Sequence, residues 1–304
     1  MSEHDIELRW PGTDGLVTAT IATVGGGIRS FTHGGHDVIP LDAPGSHVRW
    51  FTGVVMAPWS NRLRDGHWQL DGVDYQLPLN DSLGHALHGL VFDRAFHIVS
   101  RLDHAVVLEC DIDAVPGYPF PTSLHVAYAL DDRGLTSTLT ITNHADRRIP
   151  VSVGAHPYFA CEREDEVVIG ADALCAIDAR KIPTGALIAP TAKGIRPHEA
   201  TPLRDLDLDD TVTALARDDD GNAHVLLRSA RGVEVDIWQG PGFDYTVVFT
   251  CPEPIWADSP ARAIAIEPQT GPTDALNSGT DAVWLEPAES RSFTWGVAVR
   301  RSGE

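Results

Sequence analysis

Lysine is nearly missing from this 304-residue chain, which has only Lys181 and Lys193. With the arginines there are 23 basic residues against 43 aspartates and glutamates, a formal net charge of −20 at pH 7. Such a surface repels phosphate backbones and anionic lipid, which excludes nucleic acid and membrane as main partners. The carboxylate excess itself reads as a solvated surface that aids solubility. No window approaches the run of roughly 20 apolar residues that a membrane helix needs. The first residues, Met-Ser-Glu-His-Asp-Ile-Glu-Leu, hold no basic segment followed by an apolar stretch. Cysteine is sparse as well. Cys110, Cys161, Cys175 and Cys251 lie far apart without a CxxC pair, which fits reduced, mostly buried thiols in a cytoplasmic protein better than a disulfide frame or a zinc site.

Helical periodicity is scarce, with short candidates only around Asp205 to Ala216 and Thr273 to Asn277. What dominates is alternation of period two, broken by Gly, Asp and Asn turns. Trp68 and Leu70, then Asp71-Gly72, then Val73, Tyr75 and Leu77 predict a hairpin with a two-residue turn. Ser123 to Leu130 and Leu135 to Thr142 predict a second, and Val225 to Leu227 with Val233 to Trp238 a third. Phe293, Trp295, Val297 and Val299 alternate with polar residues in a final strand. Many short antiparallel strands, without repeat or linker, predict an all-β fold: one large antiparallel β-sandwich domain over residues 1–304 with few short helices.

Four segments set polar side chains in or beside Gly- and Pro-bearing turns. Ala57-Pro58-Trp59-Ser60-Asn61-Arg62 offers an amide and a forked guanidinium, which suit a polyhydroxylated ligand or a surface ion pair. His85-Ala86-Leu87-His88-Gly89 has two histidines three apart, but no nearby carboxylate or cysteine completes a metal set. His156 in Gly154-Ala155-His156-Pro157-Tyr158 precedes a proline that holds its backbone extended, as suits a proton donor or a satisfied core histidine. Glu267 ends the apolar run Ile264-Ala265-Ile266 ahead of Pro268-Gln269-Thr270-Gly271. Its carboxylate is either capped by turn amides or aimed into a cleft.

Taken in order, Asn-Arg, Leu-His-Gly, His-Pro-Tyr and Glu-Pro-Gln-Thr resemble the aldose 1-epimerase (galactose mutarotase) family. The resemblance runs from the Asp71-Gly72 hairpin to the Leu285-Glu286-Pro287 segment, and is strongest for the branch whose first motif reads Pro-Trp-x-Asn-Arg. It implies the galactose mutarotase-like supersandwich, with Glu267 as general base, His156 as general acid, and Arg62, Asn61 and His88 on the sugar. The family's substrate-binding Asp falls on Leu208-Asp209-Asp210-Thr211-Val212, where Asp209 is preferred to Asp210. The partner implied is a free aldose such as galactose or glucose; neither cofactor nor metal is called for, and the protein is expected as a monomer or homodimer.

Anomer exchange needs one group to take the C1 hydroxyl proton and another to protonate the ring oxygen. A carboxylate and an imidazolium suffice, and each is expected to favour the charged form of the other. Trp59, Trp238 and Phe243 are candidate stacking faces. Two rival functions share the fold: a hexose-6-phosphate epimerase, for which Arg64 and Arg94 would supply charge, and a non-catalytic sugar-binding protein. A glycoside hydrolase needs two carboxylates flanking the bond, and only Asp209 could partner Glu267.

Overall fold

The computed structural model describes residues 5–301, and two large antiparallel sheets dominate it. The first has nine strands, ordered His97–Arg101, Ala105–Ile112, Thr122–Leu130, Gly134–Asn143, Ser290–Arg301, Val233–Gln239, Ala223–Arg228, Glu166–Ile169 and Ala200–Pro202. The second has eight strands and runs Pro183–Ile188, Ala171–Ile177, Asp209–Leu215, Tyr245–Thr250, Arg262–Gln269, Gly154–Ala155 and Val55–Met56; Tyr158–Cys161 also pairs with Arg262–Gln269. Asp5–Gly12, Gly15–Ala22, Ile28–His33 and His36–Ile39 make a further four-stranded sheet.

Period-two alternation decides which face of each strand is buried. Along Gly134–Asn143 the residues Leu135, Leu139 and Ile141 are buried, while Thr136, Thr138, Thr140 and Thr142 are not. Across the neighbouring strand Phe293, Trp295 and Val297 join the core, and Thr138 and Thr140 pair with Thr294 and Ser292 on the other face. Each such leucine or valine contributes roughly 1.5–3 kcal/mol by leaving water.

All three predicted hairpins form, as His67–Leu70 with Val73–Gln76, Thr122–Leu130 with Gly134–Asn143, and Ala223–Arg228 with Val233–Gln239. The final strand also forms, over Ser290–Arg301. A short helix occupies Ala275–Ser278, beside the predicted Thr273–Asn277. The other expected helix does not form. After a single turn at Leu203–Asp205 the chain becomes the strand Asp209–Leu215, whose ladder with Tyr245–Thr250 outweighs a weak helical pattern. The four cysteines are free and buried, and burial raises the Cys161 thiol to about 12. Among the described residues no helix is long and apolar enough to cross a membrane.

Candidate active site

Two prolines open a gap in the eight-stranded sheet. Arg262–Gln269 pairs along one edge with Tyr158–Cys161 and, farther on, with Gly154. Between those partners lies His156-Pro157. Pro157 and Pro268 have no N–H to give to a ladder, so neither fits a continuous central pairing. The chain at His156 turns instead to the segment before Val55: its N–H donates to the Val54 carbonyl (2.9 Å), and its carbonyl accepts from Gly53 N–H (2.9 Å). The imidazole thereby meets the carboxylate across the gap, with His156 Nε2 3.3 Å from Glu267 Oε1. Both side chains are buried.

A second set of side chains arrives from a strained loop. Arg62–Leu63 pairs with Ala86–Leu87, which puts Arg62 beside His88. Asn61 and His88 both have left-handed backbone, φ 57° and 63°, and His88 N–H donates to the Asn61 carbonyl (3.0 Å). Gly89 makes this possible, because a Cβ there would sit 2.1 Å from the Ala57 oxygen. Phe51, also left-handed at φ 54°, sets its ring edge-on to His88 at 4.7 Å. Non-glycine residues held in this region store strain of about 1–3 kcal/mol each, and such strain clusters at functional sites. His88 in turn lies edge-on to His156 at 5.0 Å, and Tyr158 stacks on the other side of His156 at 5.0 Å.

These groups line a cavity of about 500 Å³. Glu267, His156, His88, Asn61, Arg62 and Asp209 all border it. A larger cavity of about 970 Å³ lies on the same side of the sheet, over Thr213 and Tyr245, but brings together no comparable acid and base. Size and chemistry therefore disagree, and the proton-transfer pair decides for the smaller one.

Asp209 and Asp210 are separated by the strand's alternation. Asp209 borders the cavity, with Lys181 Nζ 3.3 Å and an Arg62 nitrogen 3.9 Å from its Oδ2. Asp210 points to the opposite face, buried against Lys193 at 2.9 Å. Arg62 Nε also donates to Asp81 (3.0 Å). Sequence reading missed Asp81 and Lys181. Their signals were slight: a polar Asn80-Asp81-Ser82 turn before the His85 segment, and one of only two lysines.

The predicted stacking residues lie elsewhere. Trp59 is buried and donates to the Ala86 carbonyl (3.3 Å), Phe243 packs on Phe293, and Trp238 lies on the nine-stranded sheet over Gly296. The cavity's aromatic wall is instead Trp50 stacked with Phe249, ring centres 6.0 Å apart, together with Phe51 and Tyr158. His85 does not join His88. Its Nδ1 accepts from Asp65 N–H (3.1 Å) and its Nε2 faces the Arg180 carbonyl (3.1 Å), so both ring nitrogens are used by the protein. Among the described residues no group of three or more His, Cys, Asp or Glu side chains could hold a metal ion.

Charge at the site departs from expectation. Burial raises Glu267 well above the usual carboxylate range, with Asp209 adding to the rise. Burial also lowers His156 to about 4, and it holds His88 well below the usual imidazole value. Desolvation thus favours the neutral form of both members of the pair, outweighing their mutual attraction. One proton suffices for the two: carboxylic acid with imidazole and carboxylate with imidazolium are tautomers of equal net charge.

The sequence model of the aldose 1-epimerase family matches residues 12–297. The chain belongs to the aldose 1-epimerase family. An uncharacterized protein, YihR of Escherichia coli K12, is 28% identical over 93% of this chain and 90% of its own length. Galactose mutarotase of Rattus norvegicus is 31% identical, but that match spans 46% of this chain and 43% of the mutarotase. Among solved structures, the GalM/aldose epimerase homologue of Caenorhabditis elegans superposes with a TM-score of 0.83 at 19% identity, covering 98% of this chain and 100% of that one. A putative aldose 1-epimerase from E. coli K12 gives 0.80 at 18% identity, covering 98% and 99%. At those identities the structures establish that this epimerase-family chain shares their fold.

Proposed function

We propose that this chain interconverts the α and β anomers of a free aldohexose, with Glu267 as base and His156 as acid. The observation that carries the reading is the buried carboxylate 3.3 Å from a buried imidazole at the edge of a polar cavity of about 500 Å³. The two oxygens that exchange protons in ring opening are bonded to the same carbon, so a base and an acid this close reach both. Glu267 takes the O1 proton. The C1–O5 bond breaks, its electron pair passes to O5, and O5 takes the proton from His156. Rotation about C1–C2 and the reverse transfers give the other anomer, with each group contributing about 10²–10⁴-fold.

Arg62, Asn61, His88 and Asp209 are assigned to the sugar hydroxyls, and Trp50 with Phe249 to its apolar face. Before the ring opens the shared proton must sit on His156. Hydrogen bonds from the bound sugar favour that tautomer against burial, with Arg62 steadying the carboxylate and Asp209 the imidazolium.

The charge balance of the cavity favours an uncharged sugar over a hexose 6-phosphate. Arg62 is engaged by Asp81, Lys181 by Asp209, and Arg49 at the rim by Glu253. Arg64 pairs with Asp274 and Arg94 reaches the Asp111 carbonyl, and neither borders this cavity. Polarimetry on freshly dissolved α-glucose, α-galactose and glucose 6-phosphate tests the proposal. Acceleration of the free sugars over spontaneous mutarotation is expected. Sugar binding without acceleration would leave a non-catalytic binding protein, and preference for the phosphate would move the assignment to that substrate.

A further inference from the structure

Glu267 has two oxygens, and the structure gives them different neighbours. Oε1 faces His156, whereas Oε2 accepts a hydrogen bond from the side-chain amide of Gln269 at 3.0 Å. Gln269 is two residues along the same strand, so its side chain lies on the same face of the sheet. It is fully buried, in register with Gly154 on one side and Tyr245 on the other. A Cβ on Gly154 would come within 3.1 Å of Gln269 Cγ, so the missing side chain there leaves room for the amide. Gln269 Oε1 has no hydrogen-bond partner among the described residues. The bond its side chain does make goes to the carboxylate assigned as base.

We propose that Gln269 is a positioning residue for the base: it ties down Oε2, leaves Oε1 free for proton transfer, and stabilises the carboxylate form. The inference rests on the function proposed above. During ring opening the O1 proton arrives on Oε1, and Oε2 keeps its bond to Gln269 throughout. That bond is charge-assisted only while Glu267 is ionised, so Gln269 favours the carboxylate–imidazolium tautomer that ring opening requires. It opposes burial and the negative charge of Asp209, and it acts together with the Arg62 guanidinium. His156, Tyr158 and Asp209 are the other titratable groups about the carboxylate, and His88 lies beyond His156.

The test compares wild type with Gln269→Met and Gln269→Leu, the first close to glutamine in length but without the donor. Loss of a hydrogen bond to a charged group predicts a kcat about tenfold to a hundredfold lower, with KM nearly unchanged because Gln269 does not border the cavity. The alkaline limb of the kcat profile should move to higher pH, since the carboxyl loses what held it ionised, while the acid limb stays in place. A residue with only a packing role would move neither limb. Infrared titration of the buried carboxyl, with Glu267→Gln as the blank, reads the same change without turnover. A higher pKa in Gln269→Met supports the inference, and an unchanged carboxyl pKa overturns it whatever the activity. Should Gln269→Leu fail to fold, Gln269→Met carries the comparison. If wild type anomerises no sugar, the proposed function fails, while the titration still judges Gln269.

Discussion

Replacing Asp209 and Asp210 one at a time by Asn should separate catalysis from stability within two adjacent residues. Asp209 borders the cavity and is approached by Lys181 and Arg62, whereas Asp210 is buried on the opposite face against Lys193. A hydrogen bond to a charged group is worth about 1.5–3 kcal/mol. Asp209→Asn should therefore lower kcat/KM by roughly ten- to a hundredfold, at about 1.4 kcal/mol for each factor of ten. Most of the loss should fall on KM, because Asp209 holds the ground state as well as the transition state. Its own contribution to stability is small, since its partners are partly solvated. Asp210→Asn loses a buried carboxylate's bond to Lys193. Lys193 is more than a third exposed, which reduces the cost to about 1–2 kcal/mol of unfolding free energy. Polarimetric rates over a range of sugar concentrations, paired with urea unfolding of the same preparations, read both quantities. Equal catalytic losses in the two variants would refute the placement of Asp209 on the sugar.

Three further outcomes follow from the geometry. His88→Gln should reduce the rate less than His156→Asn, because His88 packs beside the acid without facing the base; equal losses in steady-state rates would contradict that order. The kcat profile of wild type should be a broad bell. Its acid limb should lie below the usual imidazole range because His156 is lowered to about 4, and its alkaline limb above the usual carboxylate range because Glu267 is raised. A narrow bell centred near pH 5 would contradict both displacements. Glu267→Gln should gain stability relative to wild type as pH rises. The folded-state pKa of Glu267 is raised, so wild type loses stability from about pH 4.5 upward until the raised value is passed. The loss is about 1.4 kcal/mol for each pH unit separating the folded and unfolded values. Thermal unfolding at acid and alkaline pH checks the sign.

Most of the fold was legible because strand alternation and turn chemistry are local. The Asp71-Gly72 turn and the threonine-rich strand Gly134–Asn143 declare their hairpin and their buried face without any distant partner. Asp205 to Ala216 misled because its helical spacing was weak and its conformation is set by a ladder to Tyr245–Thr250, more than thirty residues onward. At the site, the motif residues Glu267, His156, His88, Asn61, Arg62 and Asp209 do converge. Asp81 and Lys181 were illegible because each comes from a turn that gains meaning only when folded against Arg62 and Asp209. The stacking wall was missed for the same reason: Trp50 and Phe249 are distant in sequence, and nothing local separates them from core aromatics. Burial misled on charge. Mutual attraction between a carboxylate and an imidazole can be anticipated from sequence, but the desolvation that exceeds it appears only once both side chains are enclosed.

The central claim is that Glu267 is the base for ring opening, and the anomerisation rate of Glu267→Gln tests it most directly. Gln keeps the shape of the side chain and one accepting oxygen but cannot take the O1 proton. The account predicts kcat at least about a hundredfold below wild type, with sugar binding by calorimetry still measurable. A variant that anomerises freshly dissolved α-sugar at close to the wild-type rate would contradict it.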